Sequence, residues 1–261
     1  MSALSGLGVL VTRPQMQAMP LCRLLEAQGA NTYRLPAIAI APSGDREALR
    51  ASIGPLQNFD VIIFQSANAV RYGAALLDQK RDLNLAAVGP ATLRALNQAG
   101  YRVPILPGSG FDSEGLLAHP RLQNLKGQRV LIVRGVGGRE LLDQVLEQRG
   151  ATVTAGVVYE RHRVILDAAS LAAVGQLLQA NALHVITATS LEIATSLLTM
   201  RAANPSVLES LMRLHWLVPS RRIATGVQAL GLTAPLVVAE SAEDQVLVDT
   251  LARWRSSASG A

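Results

Sequence analysis

The chain has 261 residues, with 24 lysines and arginines against 19 aspartates and glutamates, which gives a formal net charge of +5 at pH 7. Because 49% of the residues are hydrophobic and only 16% are charged, the composition excludes a disordered chain and predicts a large core. No apolar run reaches the roughly 20 residues of a membrane-spanning helix, and the first residues show no signal-peptide pattern. We therefore expect a cytoplasmic protein, with room for more than one domain.

The composition also disfavours several classes of function. One cysteine, Cys22, and four scattered histidines form neither a disulfide nor a recognisable metal motif, so we expect no metal. Aromatic residues make up only 3% of the chain, which disfavours a nucleic-acid partner because single-stranded bases stack on aromatic rings. An anionic small molecule is the better explanation of the positive charge.

In chain order, the predicted elements occur twice. A strand at residues 9–13 (VLVTR) and a helix that ends near Gly29 are matched, at an offset of 121, by residues 130–134 (VLIVR) and a helix that ends near Gly150. The apolar strands at 61–66 (VIIFQS) and 185–190 (VITATS) each end in a serine before a helix, and residues 89–100 then correspond to residues 220–231. The pattern indicates an internal duplication.

Strands that are apolar throughout and alternate with helices are typical of parallel sheets covered on both faces. The sequence therefore predicts an α/β fold of two doubly wound parallel-sheet lobes, joined by linkers near residues 35–43 and 159–167. Ligands of such sheets bind at the carboxyl ends of the strands. We expect a two-segment hinge and a central cleft there.

Several residues at predicted strand ends are candidates for binding an anion, and each has a structural alternative. Ser66 and Ser190 either cap the next helix or help to bind a ligand. The segment 135–139 (GVGGR) lacks dinucleotide-loop spacing, and its turn and Arg139 favour a carboxylate instead. Arg13 and Arg134 occupy equivalent strand ends, where they either form ion pairs or recognise carboxylates.

Tyr159 lies at the end of a strand where the chain is predicted to cross from one lobe to the other. A tyrosine in such a place most often packs its ring and hydrogen-bonds its hydroxyl. The alternative is that its hydroxyl takes part in acid catalysis. Position alone leaves both roles open.

Six motifs occur in this chain in the same order as similar motifs in one known enzyme family. They are residues 11–14 (VTRP), 64–70 (FQSANAV), 88–92 (VGPAT), Arg134 with 139–141 (REL), 158–161 (VYER) and Thr189-Ser190. In these motifs, which span almost the whole chain, the sequence resembles the uroporphyrinogen-III synthase family. The resemblance implies two flavodoxin-like lobes with crossed connectivity, one of residues 1–38 and 164–261 and one of residues 39–163.

The resemblance also implies an activity: a cofactor-independent, cyclising hydro-lyase. It converts hydroxymethylbilane to uroporphyrinogen III for haem biosynthesis, with loss of water and inversion of the D ring. It further implies a monomer without membrane or nucleic-acid partners, which receives its substrate from the preceding pathway enzyme. Tyr159 would be the catalytic residue. The implied substrate-binding residues are Arg13, Ser66, Ala67, Asn68, Thr92, Arg134, Arg139, Ser190 and Ser220.

At residues 220–223 (SRRI) the sequence departs from the Gly-Pro-Thr-Thr of some relatives. The role that the threonine has in those relatives is therefore not assigned to a residue of this chain. Arg221 or Arg222 is a candidate for a carboxylate contact instead. Two other functions are kept as alternatives. One is a non-catalytic, two-lobed binding or regulatory module for an anionic metabolite. The other is a nucleotide-dependent enzyme, for which the sequence offers no phosphate-binding loop.

Overall fold

The chain divides into two compact units, which we call the first unit (Met1–Ala39 with His162–Ala261) and the second unit (Ile40–Arg161). The computed structural model describes residues 2–77, 83–108, 110, 112–137, 140–199 and 205–258. Within these ranges, no helix is long and apolar enough to cross a membrane. Each unit contains one parallel-dominated sheet.

The elements are numbered along the chain. The strands are β1 (Gly8–Val11), β2 (Asn31–Arg34), β3 (Ile38–Pro42), β4 (Val61–Phe64), β5 (Leu85–Ala87), β6 (Arg129–Gly135), β7 (Thr152–Arg163), β8 (Val185–Thr187), β9 (His215–Val218) and β10 (Leu236–Val238). The helices are α1 (Gln15–Ala27), α2 (Arg46–Ile53), α3 (Ala67–Gly73), α4 (Pro90–Gln98), α5 (Ser113–Leu117), α6 (Leu141–Gln148), α7 (Ala168–Gln179), α8 (Leu191–Thr199), α9 (Pro205–Leu211), α10 (Arg221–Ala229) and α11 (Asp244–Ala258).

The sheet of the first unit has the strand order β10-β9-β8-β1-β2, and all of its neighbouring strands are parallel. Alternate residues of each strand enter two separate apolar clusters, as the pleat of a strand requires. Leu10 and Trp216 belong to one cluster, and Val9 and Leu217 to the other. The sheet is thus covered on both faces, as the continuous apolar strands predict.

The sheet of the second unit has the order β3-β7-β6-β4-β5, and β7, β6, β4 and β5 pair in parallel. An isolated parallel bridge from Ala86 to Ile105 adds a partner beyond β5. The series β7-β6-β4-β5-Ile105 therefore has the same relative order as β2-β1-β8-β9-β10 in the first unit. The predicted α/β class with two doubly wound sheets is confirmed, while the internal duplication stays a prediction.

The segments predicted as linkers form strands over most of their length. β3 occupies residues 38–42 and lies next to β7, which continues as strand to Arg163. The Ser43 N–H donates to the carbonyl of Val158 at 3.1 Å and extends this contact past the end of β3. Both segments are therefore hydrogen-bonded strands rather than irregular linkers. Backbone groups of β3 that would otherwise lack partners find them in β7.

Glycines end α1 and α6, the two helices that correspond to each other in the sequence repeat. Gly29 follows α1 with a φ of 85°, and Gly150 follows α6 with a φ of 91°. This left-handed backbone is easy for glycine and strained for other residues, so it ends a helix cleanly.

Two half-buried histidines lie at the start of strands in the first unit. The N–H of Gly8 donates to Nδ1 of His184 at 2.9 Å, and the His215 ring packs against Trp254 with ring centroids 4.7 Å apart. Burial lowers the pKa of both imidazoles below the usual 6.5, and the positive charge of Arg255 lowers the pKa of His184 further. Both rings are therefore best accommodated in the neutral form.

We expect the protein to lose stability as the pH falls below about 6.5. A histidine whose pKa is lowered by folding binds a proton more readily in the unfolded chain, so acid favours unfolding, and the penalty is absent at higher pH. The thermal midpoint should fall by a few degrees between pH 7.5 and pH 5.5. In His184→Asn, whose amide oxygen can accept the same N–H without titrating, that drop should shrink. His162→Asn, at an exposed position, is the matched control, and an equal drop in both variants would contradict the assignment.

Candidate active site

Ser66 lies two residues beyond the end of β4, at the carboxyl edge of the second unit's sheet. It is the N-cap of α3, and its Oγ accepts the N–H of Ala69 at 3.1 Å. Ala67 and Asn68 form the first turn of the same helix and are half-buried. The serine therefore caps the helix, and its own hydroxyl proton can still be donated to another group.

Tyr159 lies in β7 with only 3% of its surface exposed. Its hydroxyl is 3.2 Å from Oγ of Ser66 and accepts an N–H from Nη2 of Arg161 at 3.1 Å. Its ring stacks on Tyr72, with centroids 5.9 Å apart and an interplanar angle of 27°. The phenol is thus held by polar contacts at its oxygen and by packing at its ring.

Gly135 leaves the space that the Tyr159 ring fills. It is opposite Tyr159 in the pairing of β6 with β7, at a register shift after Arg134, and the N–H of Val136 donates to the Tyr159 carbonyl at 2.9 Å. A Cβ atom at Gly135 would lie only 2.5 to 2.9 Å from three ring carbons of Tyr159. The sequence indicates only a turn at Gly135 and does not predict this contact. The signal that points to it is a glycine paired with an aromatic residue on the next strand.

We expect Gly135→Ala to displace the Tyr159 ring. The added methyl group should cost about 1–3 kcal/mol of unfolding free energy, as overpacking of a buried site usually does, and it should move the phenol away from Ser66 and Arg161. Urea denaturation measures the first effect, and the fluorescence or near-UV circular dichroism of the tyrosines reports the second. Gly108→Ala adds a methyl group where no atom lies within 4 Å. If both variants match the parent protein, Gly135 has no such role.

Thr92 and Arg134 are the other described candidates in the second unit. Thr92 is 3% exposed in the first turn of α4, which begins beyond β5, the strand next to β4. Arg134, in β6, forms an ion pair with Asp143 of α6 at 2.8 Å, and both side chains are less than one-fifth exposed. Arg139 lies outside the described residues.

Arg13 lies beyond β1 in the first unit and is 7% exposed. Its guanidinium pairs with Asp244 of α11, and it donates to Oγ1 of Thr189 at 3.2 Å and to the carbonyl of Ala242. The guanidinium of Arg13 is thus hydrogen-bonded to three protein groups. These contacts correspond to the ion-pair alternative considered from the sequence, and carboxylate recognition by Arg13 stays a prediction.

The two serine candidates of the first unit both cap helices. The Ser190 Oγ accepts the N–H of Ile193 at 3.2 Å at the start of α8, and the Ser220 Oγ accepts that of Ile223 at 3.3 Å at the start of α10. Both serines follow strands, β8 and β9, and both are half-buried. Arg221 and Arg222 are exposed in the first turn of α10.

The structure joins some of the predicted residues and adds partners that the sequence did not indicate. Ser66 and Tyr159 are brought into contact, and Arg161, Tyr72 and Gly135 also lie against the Tyr159 side chain. No group of three or more potential metal ligands occurs in the described ranges. The chemistry on offer in this cluster is hydrogen-bond and proton donation by hydroxyl groups next to a cation.

Comparison with known proteins decides the family. The family model described as Uroporphyrinogen-III synthase HemD matches residues 20–249. The chain belongs to the uroporphyrinogen-III synthase family. Its resemblance to that family, seen first in the order of six motifs, is confirmed.

Curated members of the uroporphyrinogen-III synthase family align along most of the chain. The uroporphyrinogen-III synthase of Escherichia coli K12 is 30% identical over 256 residues, which cover 94% of this chain and 100% of that protein. That of Salmonella typhimurium LT2 is 30% identical over 265 residues, with the same coverage.

Solved uroporphyrinogen III synthases share the fold. The enzyme of Helicobacter pylori 26695 superposes with a TM-score of 0.57 at 16% identity and covers 93% of this chain and 97% of its own. A mutant of the Thermus thermophilus enzyme gives a TM-score of 0.56 at 20% identity, with coverage of 98% and 100%. The two-sheet architecture is therefore that of the family, although the sequences have diverged widely.

Proposed function

We propose that the chain is a uroporphyrinogen-III synthase, which cyclises hydroxymethylbilane with loss of water and inversion of the D ring. The observation that carries this is the family match over residues 20–249, which covers the whole second unit and most of the first. A non-catalytic binding module is not favoured, because the full-length relatives are named as synthases.

We assign the acid-assisting role to Tyr159. In the first step the bond from the terminal methylene carbon to its hydroxyl oxygen breaks, and the oxygen leaves as water after taking up a proton. The pyrrole nitrogen lone pair stabilises the resulting azafulvenium cation. A buried phenol held at its oxygen by Arg161 and Ser66 supports this role, since it can donate a hydrogen bond to the departing oxygen.

The second step decides which isomer forms. The cation is attacked by the substituted carbon of the D ring, which gives a spiro intermediate. The older bond from that carbon to the bridge with the C ring then breaks and leaves a second azafulvenium cation on the C ring. The free carbon of the D ring attacks this cation and loses its proton, which restores the pyrrole and leaves the D ring inverted. Attack on the first cation by the free carbon would give isomer I instead. Selection between these carbons depends on how the four rings are held, because the two reaction paths use the same cation.

The substrate carries an acetate and a propionate on each ring, and it complements the net charge of +5. Each of Ser66, Ser190 and Ser220 uses Oγ as an acceptor for a helix N–H, which leaves its hydroxyl proton for a carboxylate. We extend the proposal of substrate contact to the remaining candidates, which are Arg13, Ala67, Asn68, Thr92, Arg134 and Arg139. Cytoplasmic location, a monomeric state and hand-over of substrate by the preceding pathway enzyme belong to the same proposal and rest on the family resemblance.

The deciding experiment supplies freshly generated hydroxymethylbilane with and without the protein. The products are oxidised, and uroporphyrin isomers I and III are separated by chromatography. Predominant isomer III is expected. Isomer I alone, formed at the spontaneous rate while circular dichroism shows a folded protein, would overturn the synthase assignment and bring back the binding module.

A further inference from the structure

Arg161 stands two residues after Tyr159 in β7, so the two side chains lie on the same face of the strand. The Nη2 of Arg161 donates to the hydroxyl of Tyr159 at 3.1 Å, and its guanidinium carbon lies 5.3 Å from the centroid of the tyrosine ring. Arg161 therefore contacts the phenol both at the oxygen and over the ring, where a cation is attracted electrostatically.

This contact determines how the phenol can hydrogen-bond. A guanidinium has N–H donors and no acceptor, so in its bond to Arg161 the oxygen of Tyr159 must accept. The proton of the phenol is then left to be donated to another group. Within the part of the chain that the structure describes, Oγ of Ser66 lies 3.2 Å from the phenol oxygen and can accept this proton. A substrate hydroxyl that approaches the same oxygen would meet a donor.

The charge of Arg161 acts in the same direction. As the proton of the phenol moves toward the leaving hydroxyl, negative charge develops on the phenol oxygen. A cation that already lies within hydrogen-bond distance stabilises that charge without reorganising. During this proton movement the Tyr159 ring stays packed between the Tyr72 ring and the backbone of Gly135.

We propose that Arg161 is a positioning residue for Tyr159, which fixes the phenol as a donor and stabilises the charge that develops on its oxygen. The proposal rests on the proposed role of Tyr159 in the synthase reaction. It goes beyond that role by making the neighbouring cation a determinant of turnover. Arg161 acts through Tyr159, so its effect should disappear when the phenol is removed.

The test compares Arg161→Gln, Arg161→Lys and Arg163→Gln. Arg163 lies two residues further along the same strand, is exposed as Arg161 is, and serves as the control for loss of charge. In Arg161→Gln we expect kcat to fall about tenfold while KM changes less than about twofold, since the interaction matters in the transition state. Lysine keeps a charged donor, so Arg161→Lys should recover at least part of the lost rate, and Arg163→Gln should keep the parent kcat. Should Arg161→Gln fail to fold, Arg161→Met, which also removes the charge, takes its place in each comparison with the same expected and contradicting results.

A double variant separates this role from others. Arg161→Gln added to Tyr159→Phe should lower kcat by less than about twofold, because no phenol oxygen is left to position. A full tenfold loss in that background would overturn the proposal, as would a raised KM with unchanged kcat, which would make Arg161 a substrate contact. Parent turnover in Arg161→Gln with slow turnover in Tyr159→Phe rejects the Arg161 proposal alone. Parent turnover in Tyr159→Phe rejects the proposed acid role and the Arg161 proposal with it.

Discussion

Arg13→Ala is expected to lower the free energy of unfolding by about 2–3 kcal/mol, which is less than the ~3–5 kcal/mol for breaking a fully buried pair. The arginine side chain is 9% exposed and that of its partner, Asp244, 27%. Removal of the guanidinium leaves the Asp244 carboxylate and the Ala242 carbonyl without this donor. The alanine side chain cannot hydrogen-bond to either group in its place. Urea denaturation followed by circular dichroism measures the effect.

Two further variants show whether the ion pair is the cause. Arg23→Ala, at an exposed position on α1, should change stability by less than about 0.5 kcal/mol. Arg13→Ala combined with Asp244→Asn should regain part of the loss, because the second change removes the unpaired charge. An unaltered urea midpoint in Arg13→Ala, or no recovery in the double variant, would contradict a structural ion pair.

A substrate role for Arg13 gives a different signature. If the cation also contacts a carboxylate of hydroxymethylbilane, KM should rise under conditions in which the variant is fully folded, and kcat should change less. If Arg13 only joins α11 to the end of β1, the folded fraction should bind substrate normally. Kinetics at a temperature well below the unfolding midpoint distinguish the two roles.

The fold could be predicted because its signals are local. β1, β4 and β6 are near-continuous runs of buried apolar residues, and helices alternate with them, which is sufficient to indicate covered parallel sheets. Helix caps are equally local, since a serine at the end of a strand bonds an N–H only three residues ahead. Ser66, Ser190 and Ser220 all act in this way.

The contacts of the candidate residues within each unit could not be predicted, because their partners are distant in sequence. Arg13 and Asp244 are 231 positions apart, and Ser66 and Tyr159 are 93 apart. A strand end shows that a polar side chain reaches the edge of the sheet, but the partner depends on strand order and register. Gly135 makes the same point, since its importance follows from a ring on the neighbouring strand.

Tyr159→Phe is expected to lower kcat by about ten- to a hundredfold while the protein stays folded. Acid catalysis contributes typically 10²–10⁴-fold, and the lower end is expected here because the pyrrole already stabilises the cation left by the hydroxyl. The ring, its stacking on Tyr72 and its fit against Gly135 are retained in phenylalanine. Only the oxygen that contacts Ser66 and Arg161 is lost, so the variant isolates the donor from the packing.

The measurement is the initial rate of uroporphyrinogen III formation, with the isomers separated after oxidation. Tyr101→Phe removes another hydroxyl of the second unit, one that donates to the carbonyls of Ala74 and Leu77 at 3.4 Å, and should retain the parent rate. The enzymatic product of Tyr159→Phe should remain isomer III, because the arrangement of the rings rather than the acid selects the attacking carbon. A rate within about twofold of the parent would remove Tyr159 from the reaction. A slow variant that releases isomer I enzymatically would instead show that the phenol also helps to orient the D ring.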